Sequence, residues 1–169
     1  MRKSKIIASC GMTAALSVVI MILGGVLGLG MYASPMIAGF CLMPIQQKYG
    51  AKYGWTLWAA VSLLSFFLVP DVEENLMYFT FFGLYPLLWP HFEELPKKLR
   101  WICKFLYFNI VIIAVEALIM LVLVPESMGW VMNLILLLLG NFIFLCYDFL
   151  LPRSELLMQK YFGKIVKKG

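Results

Sequence analysis

From Ile6 to Gln47 the chain runs 42 positions without a charged residue. As one helix that run would extend roughly 63 Å, about twice the hydrocarbon thickness of a bilayer, so it must fold back. Gly24, Gly25, Gly28 and Gly30, followed by Ser34-Pro35, mark the reversal. The pattern predicts helices at 6–27 and 32–47. A third apolar run covers 53–69 and stops at Pro70-Asp71. A fourth, at 75–92, is aromatic and carries Pro86 and Pro90. The fifth, at 101–124, contains Glu116, and the sixth, at 129–151, ends at Pro152. Residues 152–169 form a basic tail. The predicted fold class is an all-α integral membrane protein, one six-helix transmembrane domain over 1–169.

Charge placement fixes an orientation for this count. Six spans put 1–5, 48–52, 93–100 and 152–169 on one side, and that side receives 13 of the 14 Lys and Arg residues. The other, Lys104, lies just inside helix five near the same face. The opposite loops carry Asp71, Glu73, Glu74 and Glu126 and no basic residue. Basic loops stay in the cytoplasm, so both termini are expected inside, in a multi-pass protein of a bacterial inner membrane. Composition agrees: 63% hydrophobic and 14% charged, against about 45–50% and about 25% in soluble domains. That excludes a soluble enzyme, a disordered chain and a disulfide scaffold. The apolar stretch behind the basic start is too long for a signal peptide's core.

Chemistry-bearing motifs are scarce. There is no nucleotide-binding loop, H-E-x-x-H or G-x-S-x-G, and Cys10, Cys41, Cys103 and Cys146 are too scattered for a metal or disulfide framework. No cofactor, metal site or enzymatic activity is expected. The one histidine, His91, reads as a membrane-interface residue. Beside a membrane the tail from Lys160 to Lys168 suits anionic lipid rather than nucleic acid.

Polar residues inside the spans are the candidates for function, because burying them in lipid is costly. Glu116 lies about two thirds along helix five, and Asn109, seven residues earlier, shares its face. Helix six contributes Asn133, Asn141 and Asp148. If helices five and six form an antiparallel hairpin across 125–128, Glu116 falls at the depth of residue 136, between Asn133 and Asn141. Asn109, Glu116, Asn133 and Asn141 are then candidate ligand-binding residues. The bland reading of Glu116 is a protonated carboxyl bonded to a neighbouring helix. The same hairpin sets Lys104 opposite Asp148, as a structural ion pair. On helix one, Ala8, Gly11 and Ala15 share a face of small residues. Such a face admits close helix approach, either within the bundle or with a partner. Gly24-x-x-x-Gly28 is expected to serve the turn.

The six-helix layout, the basic start running into a small-residue helix, and the glycine-rich turn into Ser34-Pro35-Met36-Ile37-Ala38-Gly39-Phe40 resemble the substrate-binding, or S, component of energy-coupling factor transporters. The chain is also similar to uncharacterised bacterial membrane proteins related to that family, which share a segment like Phe81-Phe-Gly-Leu-Tyr-Pro86. In the family an Ala-x-x-x-Ala pattern on helix one contacts the transmembrane coupling subunit. The matching positions here are Gly11 and Ala15, with glycine replacing the first alanine. The resemblance implies a subunit that binds a vitamin or precursor from outside and topples within the membrane when docked. Two partner ATPase subunits would supply the energy. The signature histidines of metal-specific members are missing. Two other classes compete: a structural or assembly membrane protein without a transported ligand, and a small lipid-modifying enzyme drawing on Glu116, Tyr78 and His91.

Overall fold

The computed structural model describes residues 3–27, 32–122 and 130–166, and all of its regular structure is helical. The elements are α1 (Lys3–Leu27), α2 (Ala33–Phe40), α3 (Met43–Tyr49), α4 (Ala51–Leu68), α5 (Val72–Met77), a π-helical turn (Tyr78–Phe82), α6 (Tyr85–Glu93), α7 (Lys97–Val122) and α8 (Trp130–Val166). The expected all-α class is met. Lys3–Val26 and Lys97–Leu121 are long and apolar enough to cross a membrane, and only 22% of the apolar 18-residue stretch of each is buried in the bundle. Large apolar side chains face outward along most helices, Phe67 at 86% and Leu121 at 83% exposure among them. Water-soluble monomers rarely present apolar surface on that scale.

Three expected helices differ in form. The segment expected as one helix at 32–47 is broken into α2 and α3, because Pro44 lacks an N–H and its ring crowds the carbonyl one turn back. At the break Leu42 N–H bonds Gly39 O and Ile45 N–H bonds Leu42 O, both at 3.1 Å and both in the tighter three-residue pattern. The segment expected at 75–92 starts earlier, at Val72, where Asp71 caps α5 by accepting from Glu73 N (2.9 Å) and Glu74 N (3.2 Å). It then passes through the π turn. The sixth helix does not stop at Pro152. It continues to Val166, so the start of the basic tail is helical, with one backbone bond missing at the proline. Gly28, Gly30, the 125–128 turn with Glu126, and Lys167 and Lys168 lie outside the described residues.

α1 runs antiparallel to α2 and α3. Ser9 Oγ meets the Tyr49 hydroxyl at 3.2 Å, Ser17 Oγ donates to Ala38 O at 3.4 Å, and Gly24 meets Ser34. A side chain at Gly24 would overlap Ser34. This is a correction to the turn role expected for Gly24, which sits inside α1 and lets α2 approach. Gly50, with φ of 97°, ends α3 in a backbone state that favours glycine. α7 and α8 pair in antiparallel register: Phe108 stacks on Phe144 with ring centroids 4.9 Å apart, and Ile112 packs on Gly140.

The π turn is enclosed by aromatic side chains. Gly83 N–H reaches back five residues to Tyr78 O, 2.8 Å, which leaves the Phe79 carbonyl for Trp58 Nε1 of α4 at 3.2 Å. Pro86 offers no N–H to Phe82 O, and the Tyr147 hydroxyl of α8 donates there at 2.8 Å. The Tyr107 hydroxyl of α7 donates to Thr80 O at 2.7 Å. Carbonyls released by the irregular winding are thus satisfied from three helices, as buried backbone groups require. Phe81, Tyr85, Phe108, Phe144 and Tyr147 pack around this turn as one buried cluster. A second cluster, with Val18, Met21, Leu42, Leu57 and Val61, joins α1 to α2 and α4.

Candidate functional site

Polar side chains gather at three levels of the bundle. Nearest the start of α7, Lys104 Nζ donates to Asp148 Oδ1 and to Glu93 Oε1, each at 2.7 Å. Tyr85 donates to the same Asp148 oxygen at 2.5 Å, and Arg100 pairs with Glu93. Lys104 also stands 5.7 Å from the Trp89 ring centre and 5.8 Å from that of Trp101. The Lys104 and Asp148 side chains are 3% and 8% exposed. Two acids face two bases, so the group is neutral and closed on itself. Sequence reasoning named only Lys104 and Asp148. Glu93 comes from the loop side of α6, and its involvement depends on how that helix packs.

At the middle level Asn109 and Asn141 exchange two hydrogen bonds, each Nδ2 donating to the other's Oδ1 at 3.1 Å. Each Nδ2 also donates one turn back, to Phe105 O (2.9 Å) and Leu137 O (2.8 Å). Both donors of each amide are therefore used, and the pair works as a clasp between α7 and α8. The expected grouping of Asn109, Glu116, Asn133 and Asn141 divides here. Asn109 and Asn141 bind each other. Glu116 lies two turns further along α7, within electrostatic reach of Glu73 and Tyr32. The Asn133 side chain lies outside the described residues. The physical reason is spacing: seven residues keep Glu116 on one helical face but move it about 10 Å along the axis.

The third level lies at the far end, where α5 packs on α2, α4 and α7. Glu74 is 1% exposed, and its Oε1 accepts from Ser34 Oγ at 2.5 Å. Gly24 and Gly25 leave the room it occupies: a Cβ on Gly25 would come within 3.3 Å of Glu74 Oε2. Burial pushes the Glu74 carboxyl above the usual carboxylate range; the Ser34 hydrogen bond opposes this, and the Asp71 charge adds to it. Glu73 is also raised, first by burial, then by the charges of Glu116 and Asp71. Asn75 Nδ2 donates to Val69 O at 3.0 Å, while its Oδ1 is buried without a partner among the described residues. The Ser34–Glu74 contact went unforeseen, because it joins positions 40 residues apart. The acidity of this loop was its only sequence signal.

The small residues of α1 differ in kind. Ala8, Gly11 and Ala15 are all exposed, and a Cβ built on Gly11 meets nothing within 4 Å. The bundle's own packing uses Ala14, Ser17, Val18 and Met21 instead. Among the described residues no group of three or more His, Cys, Asp and Glu could hold a metal ion. No family model, curated protein or solved structure matches this chain.

Proposed function

We propose that the chain is a six-span inner-membrane protein with both termini in the cytoplasm. We propose further that it is the substrate-binding subunit of a micronutrient uptake system energised by partner ATPase subunits. The spans are α1, α2 with α3, α4, the segment 75–92 through the π turn and α6, α7 and α8, with Asp71, Glu73 and Glu74 in the loop outside. The observation that carries the reading is the α1 face of Ala8, Gly11 and Ala15. It is built for close helix contact, yet the protein leaves it uncovered, as a subunit awaiting a coupling partner would. The resemblance to energy-coupling factor S components names that partner as a transmembrane coupling subunit. The test compares Gly11→Leu and Ala15→Leu with wild type. Thermal stability in detergent is expected to stay within about 0.5 kcal/mol, the range of substitutions away from packed features, while co-purification of partner subunits is lost. Lost stability, with no partner recovered even by wild type, would remove the transport reading.

One observation favours a second reading, a structural or assembly protein. Asn109 and Asn141, expected to bind a ligand, spend their N–H donors on each other and on the backbone one turn back. Mass spectrometry of co-purified small molecules separates the two. A tightly retained vitamin-like molecule supports uptake, and lipid alone supports assembly.

A further inference from the structure

A groove of about 370 Å³ runs between α1 and the α2–α3 pair, on a different face of α1 from the small residues. Met12 and Leu16 form one wall, and Ile37 and Phe40 the other. From Ser9 to Leu16 it follows α1 for about 10 Å. Its two ends differ. The Leu16–Ile37 end is apolar. The other end is lined by Ser9 and Tyr49, which share a hydrogen bond, and by Lys48. Lys5 stands one turn before Ser9 on the same helical face. Hydrocarbon walls leading to two hydroxyls and two lysines match an amphiphile with an acyl chain and an anionic head.

We propose that this groove holds a phospholipid with an anionic headgroup, its acyl chain between Met12, Leu16, Ile37 and Phe40 and its phosphate at Lys48 and Lys5. The proposal rests on the membrane-embedded reading above. Under that reading the lysines lie on the basic, cytoplasmic side, where anionic headgroups attract juxtamembrane cations. The charge at the mouth selects against zwitterionic lipid, and the walls select an extended chain.

The experiment is native mass spectrometry of the full chain, extracted from membranes and equilibrated with equal amounts of phosphatidylglycerol and phosphatidylcholine. Wild type is expected to retain phosphatidylglycerol selectively. Lys48→Gln should cut that selectivity about fivefold, the effect of one lysine beside an anionic surface. Thr13→Trp, which fills the groove, should abolish retention of both lipids. Lys97→Gln, a lysine on the same predicted side but away from the groove, should change nothing. Equal loss in Lys97→Gln and Lys48→Gln would overturn the proposal by showing nonspecific surface attraction. So would undiminished lipid retention in Thr13→Trp, or a co-purified protein displaced by that variant while lipid stays bound. Recovery of wild type in the soluble fraction would overturn the membrane reading as well. Recovery in membranes without retained phosphatidylglycerol would overturn the groove alone.

Discussion

Lys104 reaches across from α7 to place its ammonium 2.7 Å from the Asp148 carboxylate of α8, and it holds Glu93 at the same distance. The two bonds make the partners unequal. Without Asp148, Lys104 keeps Glu93. Without Lys104, Asp148 keeps, among the described residues, only the Tyr85 hydroxyl. Lys104→Met is therefore expected to cost about 3–5 kcal/mol of stability in detergent, the usual penalty for orphaning a buried charge. Asp148→Asn should cost less. The double variant should lose less than the two single losses combined, in a double-mutant cycle read by thermal unfolding. Additive losses would show that the pair is not coupled.

The Asn109–Asn141 clasp gives a second cycle. Asn109→Leu removes both interhelical bonds, and so does Asn141→Leu. Each should lower stability by about 0.6–1.7 kcal/mol, the span measured for hydrogen bonds between membrane helices. The double variant should be no worse than the poorer single one. Retention of any co-purified small molecule should be unchanged in all three, because these amides have no donor left to offer.

Glu73 predicts a pH dependence. Its carboxyl titrates above the ordinary range because of burial and the charges of Glu116 and Asp71. A raised carboxyl favours the fold in its neutral form. Its contribution is complete below the unfolded value and fades as pH rises through the folded one. Stability should therefore rise as pH falls from neutral toward the ordinary carboxylate range. Glu73→Gln should shrink that rise to the part owed to Glu74, whose carboxyl is also raised by burial, and Glu116→Gln should shrink it less. A profile unchanged in Glu73→Gln would assign the effect to another group.

The Phe82 carbonyl supplies a fourth expectation. Tyr147→Phe withdraws its donor and leaves a buried acceptor unpaired, at about 1–3 kcal/mol. Gly39→Ala should cost more. Its Cβ would overlap that carbonyl and come within 2.7 Å of the Tyr147 hydroxyl. Backbone held by three helices cannot retreat as a flexible side chain could. Circular dichroism melts in detergent would rank the two.

What the sequence made legible was what lies on a regular helix. Periodicity put Ala8, Gly11 and Ala15 on one face, and hairpin geometry set Lys104 opposite Asp148, as the structure has them. Glu116 was set by hairpin depth beside Asn133, whose side chain lies outside the described residues, while its charge reaches Glu73 and Tyr32, which the hairpin could not show. The α2–α3 break had its signal in Pro44, but an uncharged run masks a break that costs no polarity. The π turn had none: its hydrogen bonds are completed by Trp58, Tyr107 and Tyr147, which lie far off in sequence. The partners of Glu74 were hidden for the same reason.

The π turn also sets an angular phase. One residue more than an α-helical turn needs is wound into Tyr78–Phe82. Everything after it is therefore rotated by about 100° relative to an uninterrupted helix. That offset is what lets a single segment send Glu74 into the slot at Gly24 and Gly25 and, eleven residues later, aim Tyr85 at Asp148. Removing one residue from the turn would leave Glu74 seated and swing Tyr85 a quarter-circle away. The far-end carboxylate and the Lys104 cluster are thus held in step by a single supernumerary residue.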